Sequence, residues 1–239
     1  MAAIESGRPI NKLLLLQQAN SARDIVKFAR DKRIIVEMVS KSVLNRIAGE
    51  NHQGIVALVS PKDYMDAYAL IEKIEGKRQE NKKAFVIILD GIEDPQNLGA
   101  IIRTAEGAGV DAVVIPARRA APLTAAVARA SAGALEFIDI CRVTNINNTI
   151  DMLKENNVWV VGVEKEGQKS YNQADFSLDV AIVIGSEGSG ISHLTKKKCD
   201  FLVNIPMQGK ISSLNASASA AVVMYEVVRQ RKLMTNDKL

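Results

Sequence analysis

From Phe85 onward the chain repeats one pattern that sets its fold class. Phe85–Leu89, Ala112–Ile115, Val158–Val163 and Val180–Ile184 are unbroken apolar runs rich in Val and Ile. A strand with one wet face alternates polar and apolar residues. An unbroken run instead suits a strand covered on both faces, as in a parallel sheet. Between the runs lie helical stretches, Leu98–Ala108, Leu123–Ala132 and Asn147–Asn156. This alternation predicts a doubly wound α/β domain.

The residues ahead of it read as a smaller α/β layer. Leu13–Leu16, Arg33–Met38 and Gly54–Val59 are strand-like. Ser21–Lys32 reads as a helix, with Ser21 as cap, Asp24 in the first turn and Ala22, Ile25, Val26 and Ala29 as its apolar stripe. Lys41–Ala48 reads as a helix ending at Gly49, and Asp63–Ile74 as another. The stretch EGKRQENKKA, residues 75–84, is polar and aperiodic, which suits a linker. The expected organisation is a first domain at 1–75, a linker at 76–84 and a second domain at 85–239.

Charge follows this division. The 31 Lys+Arg and 27 Asp+Glu give a net charge of +4. Residues 1–83 carry 15 basic and 10 acidic side chains, whereas residues 84–239 carry 16 and 17. A polyanionic partner would be held by the first third, with the linker cations contributing. Other counts exclude whole classes of mechanism. The two cysteines, Cys141 and Cys199, form no CxxC and read as reduced thiols of a cytoplasmic protein. With only two histidines, no metal site is expected. No apolar run is long enough for a membrane span, and MAAIESGRPINK is not a signal peptide.

In doubly wound sheets ligands sit at the carboxyl ends of the strands. The loops after Leu89, Ile184 and Ile205 are therefore where chemistry is sought. In the first, Asp94 can cap a helix with Pro95 at its first position. Gly99 allows close backbone approach. Arg103 stands among Leu98, Ile101, Ile102 and Ala105, so it either snorkels outward or serves a site. Asn97 and Arg103 are six residues apart, about 240° around an ideal helix. If both serve one site, Asn97 belongs to the turn or the site is shared between chains.

The second loop, VIGSEGSGISHL at 183–194, orders its glycines as G-x-x-G-x-G. This is neither the dinucleotide fingerprint nor a lysine-bearing phosphate loop. A tight glycine turn there can offer backbone groups and Glu187 to a polar-edged ligand such as adenosine, or be an ordinary turn. The third segment, residues 204–232, joins a loop with Pro206 and Gly209 to a helix thinned by Ala216, Ser217, Ala218, Ser219, Ala220 and Ala221. Such a helix permits close packing. Arg229, Arg231 and Lys232 suit its C-terminal end.

Together these segments resemble a known family. DPQNLGAIIRTA, IGSEGSG and IPMQGKISSLNASASAA with Glu226 resemble the three motifs of the SpoU (TrmH) class of SPOUT RNA 2′-O-ribose methyltransferases. The likeness runs from about Phe85 to Arg231. The first domain, with NHQGIVALVSP at 51–61, resembles the L30e-like substrate-binding domain of the 23S rRNA guanosine 2′-O-methyltransferases. Relatives open with a strand and a G-x-N-P-V-like segment. This chain opens at MAAIESGRPINK, so the first domain is expected to lack that strand.

The resemblance implies an α/β fold with a trefoil-knotted, parallel-sheet SPOUT domain behind the small L30e-like α/β domain. It implies a homodimer that transfers a methyl group from S-adenosylmethionine to a ribose 2′-hydroxyl of large-subunit ribosomal RNA. The alternatives are a transfer-RNA ribose methyltransferase, a non-catalytic ribosome-assembly protein and a dinucleotide-dependent oxidoreductase, the last disfavoured by the glycine order. By motif position, Gly185, Gly188, Ile205, Met207 and Leu214 are the cofactor-binding residues. Arg103, Asn97, Glu187, Ser213 and Asn215 are the catalytic set. A guanidinium hardly deprotonates. Arg103 is therefore expected to hold an RNA phosphate and stabilise charge on the hydroxyl oxygen rather than act as a base. Ser213 and Asn215 are expected to bond ribose or phosphate, with Glu187 and Asn97 orienting the site.

Overall fold

The structure is a computed structural model and describes residues 7–17, 23–50 and 52–236. The chain divides into two compact units, Met1–Lys62 and Asp63–Leu239. Residues 1–6, on which the expectation about a first strand falls, lie outside the described residues, as do the proposed cap Ser21 and the stripe residue Ala22.

In the first unit, strands β1 (Ile10–Leu16), β2 (Ile35–Val39) and β3 (Ile55–Val59) form a sheet ordered β2-β1-β3. β1 runs parallel to β2 and antiparallel to β3. Its Leu13, Leu14 and Leu15 are buried because it is the central strand. Helices α1 (Arg23–Asp31) and α2 (Lys41–Ala48) complete the layer, and Leu44 of α2 packs with Leu14 and Val39. Gly49 ends α2 at φ 75°, donating its N–H to the Asn45 carbonyl at 2.9 Å. Lys27, Arg30, Lys32 and Arg33, on and just after α1, are exposed.

The second unit begins earlier than the sequence suggests. Helix α3 (Ala67–Gln79), capped by Asp66, takes in the first half of the supposed linker. Leu70 and Ile74 bury it against the large sheet, in one core with Val86, Ile88 and Ile150. Its cations are also committed. Lys77 pairs with Asp111, and Arg78 Nε lies 2.7 Å from Asp179. Lys82 pairs with Glu80 at 2.7 Å. Residues 63–83 carry five basic and five acidic side chains. The whole basic excess thus lies ahead of Asp63, where residues 1–62 carry 10 basic and 5 acidic side chains.

The large sheet holds β4 (Phe85–Asp90), β5 (Ala112–Pro116), β6 (Asp139–Val143), β7 (Trp159–Val163), β8 (Lys169–Ser170), β9 (Val180–Gly185) and β10 (Phe201–Asn204). All are parallel, in the order β6-β5-β4-β9-β7-β10-β8. The four apolar runs are β5, β4, β9 and β7, four of the five inner strands, as their two-sided burial requires. Alternate residues serve two cores. Ile87, Leu89, Ile182 and Ile184 face α4 (Pro95–Gly107), α5 (Ala125–Ala130) and α8 (Ala216–Asn236), which follows the short α7 (His193–Lys198), while Val86, Ile88, Ala181 and Val183 face α3 and α6 (Ile146–Glu155).

Strand β10 lies between β7 and β8, which are joined by residues 164–168 alone. That connection crosses from one side of β10 to the other. It is pinned there by Glu164 N donating to Val203 O at 2.9 Å and Asn204 Nδ2 donating to Gly167 O at 2.8 Å. This is the crossing that a knotted SPOUT domain needs.

The thin helix α8 does pack closely, burying Ala216, Ala220, Val223, Met224 and Val227. It continues past Lys232 to Asn236, so Arg229 and Arg231 do not end it. Arg229 instead holds Glu226 through two contacts of 2.7 Å. These bonds hold the Glu226 carboxyl below the usual range. Arg231 donates to the Ala84 and Leu178 carbonyls, each at 2.8 Å. Burial pushes the Cys141 and Cys199 thiols up to about 12, so both stay protonated at neutral pH.

Gly99 serves the close approach expected of it. A Cβ there would lie 2.3 Å from Ala130 Cβ and 3.0 Å from the Ser131 nitrogen. Gly99→Ala is expected to cost about 1–3 kcal/mol through overpacking of α4 on α5. Denaturant unfolding measures this, and Gly99→Ala with Ala130→Gly should recover part of the loss.

Candidate active site

Sheet register brings the first two loops together. Asp90 pairs with Gly185, so both loops leave the sheet side by side. In the first, Asp94 caps α4 by accepting Gln96 N at 3.2 Å and Asn97 N at 3.1 Å, with Pro95 at the first position. Asn97 is thus in the helix, at its third position, and not in the turn.

In the second loop the backbone closes on itself. Gly190 N donates to Ser186 O at 2.9 Å, and Ser186 N to Gly190 O at 3.2 Å. Gly185 permits this. A Cβ on it would sit 2.1 Å from the Gly190 carbonyl carbon. Gly190 has φ 65°, the left-handed region that glycine enters without strain. The third loop leaves β10 and reaches α8, where Asn215 Oδ1 caps the helix by accepting Ser217 N at 2.9 Å and Ala218 N at 3.2 Å.

The three loops meet through three side chains. Asn97 Nδ2 donates to Glu187 Oε1 at 2.9 Å. Asn215 Nδ2 donates to Asn97 Oδ1 at 2.9 Å and also to Glu187 Oε1. One carboxylate oxygen therefore gathers two amides from separate helix N-termini. Against this junction lies a cavity of about 350 Å³. Its lining includes Gly185, Gly188, Ile205, Met207 and Leu214, with Glu187 and Ser213 at the junction side.

Arg103 stands apart from this cluster. It is exposed on α4, does not line the cavity, and pairs with no group among the described residues. Its helix position is about 240° from Asn97. Within one copy of the chain the two do not share a face.

Sequence reasoning missed one wall of the cavity. Glu164, at the carboxyl end of β7, is 8% exposed and lines it with Lys165, Glu166 and Lys196. The Glu164 carboxylate accepts Ile191 N and lies 3.0 Å from Lys196 Nζ, fixing the exit of the glycine loop. The rule that drew attention to the loops after Leu89 and Ile184 applies equally after Val163. Among the described residues no cluster of His, Cys, Asp and Glu could hold a metal ion, and no helix is long and apolar enough to cross a membrane.

Residues 84–225 match the SpoU rRNA Methylase family. The chain belongs to the SpoU family. Its first residues, 1–65, match a second model, RNA 2′-O ribose methyltransferase substrate binding. A Staphylococcus saprophyticus protein assigned to the TrmH family of tRNA/rRNA methyltransferases is 46% identical over 231 residues, covering 96% of this chain and 92% of that one. A Staphylococcus aureus protein of the same description is 47% identical over 233 residues, with the same coverage. The structure also resembles the SpoU methyltransferase AviRb from Streptomyces viridochromogenes in complex with AdoMet, with TM-score 0.79 and 27% identity over 97% of this chain and 87% of that one.

This SpoU-family chain is accordingly an RNA methyltransferase that uses S-adenosylmethionine. The cavity suits that cofactor. Its volume is in the usual range for small-molecule sites, roughly 300–1,000 Å³. Ile205, Met207 and Leu214 supply apolar surface, while the Gly185–Gly190 turn supplies backbone groups and has open space at Gly188.

Proposed function

We propose that this enzyme methylates the 2′-hydroxyl of a guanosine ribose in large-subunit (23S) ribosomal RNA, acting in the cytoplasm as a homodimer. The observation that carries the reading is the junction of Asn97, Glu187 and Asn215 from three separate segments beside a cofactor-sized cavity. The match of residues 1–65 to the ribose 2′-O substrate-binding domain supports the reaction site and the substrate. The basic excess of residues 1–62 supports docking of RNA on that unit. The guanosine preference rests on the resemblance of the first domain.

S-adenosylmethionine supplies a methyl group already activated on a sulfonium. What remains for the protein is alignment and charge stabilisation, with the hydroxyl proton passing to water. Gly185, Gly188, Ile205, Met207 and Leu214 hold the cofactor. Ser213 is exposed at the cavity mouth and bonds the ribose or its phosphate. Asn215 keeps both ends of its amide within the protein, so it positions Ser213 and Leu214 rather than touching RNA. Glu187 and Asn97 lock the loops. Arg103 meets the developing negative charge on the hydroxyl oxygen and the adjoining phosphate. Since Asn97 is helical, the angular mismatch leaves the shared site as the way both residues serve one reaction, with Arg103 from the second copy.

The test is methyl transfer from labelled cofactor to unmodified 23S rRNA and to unmodified transfer RNA. Label in the 23S transcript is the expected result. Label in transfer RNA alone would replace the substrate, and no label in either would overturn the reading.

A further inference from the structure

The catalytic unit is near neutral overall, yet it carries a local cationic and aromatic surface away from the cofactor cavity. Met65 pairs in parallel with Cys141 at the outer edge of β6, through Met65 N to Ile140 O and Arg142 N to Met65 O, both at 3.0 Å. This clamp fixes Tyr64 beside Arg142. The Arg142 guanidinium carbon lies 5.2 Å from the Tyr64 ring centroid, and Nη2 donates to the Ala117 carbonyl at 3.2 Å. Ala117 opens the loop that carries Arg118 and Arg119. Both are exposed, and neither pairs with any described residue. Arg119 is held at φ 59°, uncommon for a side chain of its size. Tyr64 keeps 37% of its surface exposed.

Three segments therefore meet at the carboxyl edge of β5 and β6, the same edge of the parallel sheet on which the cavity opens. β5 is two strand steps from β9, and β6 is three. At ~4.8 Å per step the patch lies roughly 10–14 Å from the end of β9, within reach of nucleotides beside the methylated one. An aromatic ring backed by a guanidinium is a stacking surface for any base. Unpaired arginines next to it suit phosphates. Duplex RNA offers no exposed base face, so a single strand fits and a helix does not.

We propose that Tyr64 and Arg142, with Arg118 and Arg119, form a platform for single-stranded RNA flanking the target ribose. One base stacks on the Tyr64–Arg142 pair and its phosphates lie against Arg118 and Arg119. This inference rests on the RNA reading above but not on which RNA is methylated.

The test uses the full chain and two probes: a random-sequence single-stranded 12-nucleotide RNA followed by fluorescence anisotropy, and methyl transfer to unmodified 23S rRNA. Tyr64→Ala should weaken 12-mer binding about tenfold, whereas Tyr64→Phe, which keeps the ring, should stay within about twofold. Arg118→Gln with Arg119→Gln, on an exposed loop, should lower the slope of log K against log salt by about 1.4. The KM for the 23S transcript should rise in Tyr64→Ala, with cofactor affinity unchanged. Binding within twofold of wild type for both Tyr64→Ala and the double variant, with an unchanged salt slope, would overturn the proposal. A wild-type protein that binds the 12-mer through these residues but methylates no 23S transcript would overturn the proposed substrate and leave the platform standing.

Discussion

Arg103→Ala is expected to lower turnover by about 10²–10³-fold, the cost of removing one preorganised donor at a developing oxyanion. It should leave the dissociation constant for S-adenosylmethionine nearly unchanged. The fold gives no reason for any other loss. Arg103 is exposed and unpaired among the described residues, while its neighbours Ile101, Ile102 and Ala105 are buried and stay in place. The residue does not line the cavity, so cofactor binding does not depend on it. Single-turnover kinetics, with calorimetric titration of the cofactor, separate the two effects. Arg103→Lys is also expected to stay well below wild type, because a point charge does not replace a planar two-pronged contact. Substantial turnover in Arg103→Ala would remove the residue from the reaction.

Gly185→Ala is expected to weaken cofactor binding by about 30–150-fold. The new Cβ would meet the Gly190 carbonyl carbon at 2.1 Å and the Ile191 nitrogen at 2.2 Å, both backbone atoms that no rotamer change can clear. The Ser186–Gly190 bridge opens, at a cost of about 2–3 kcal/mol, equivalent to that range of affinity. The melting temperature should fall by roughly 4–10 °C. Gly188→Ala is the control for the fold. Nothing lies within 4 Å of its added Cβ, so its melting temperature should equal that of wild type. Calorimetric titration and thermal unfolding measure both variants. Unchanged cofactor affinity in Gly185→Ala would show that the closed turn is not part of the cofactor site.

Much of the architecture is legible in residues whose environment is dictated by one strong force. The runs at Phe85–Leu89 and Val180–Ile184 have no polar residue to turn toward water, so they lie inside the sheet. Asp94-Pro95 starts α4 by local chemistry alone. What sequence reading missed depends on partners far along the chain. Residues 75–79 look like a linker because they are polar, but Arg78 is polar for Asp179, 101 residues away. Strand β6, DICRV, mixes charge with apolar residues because it is an outer strand, and its short pattern does not stand out. At the site, the three motif segments are recognisable, and the meeting of Asn97 with Glu187 follows from the pairing of β4 with β9, while Asn215 joins them from the start of α8. Glu164 was not recognisable. A lone carboxylate between Val163 and Lys165 reads as surface until the crossing over β10 buries it.

The most direct measurement is the chemical position of the transferred methyl group. Unmodified 23S rRNA is methylated with labelled S-adenosylmethionine and then hydrolysed in alkali, which cleaves only where a free 2′-hydroxyl remains. Label is expected in a single alkali-resistant dinucleotide with guanosine on its 5′ side. Label released in alkali-sensitive mononucleotides would mean a methylated base, and would contradict ribose methylation by this site.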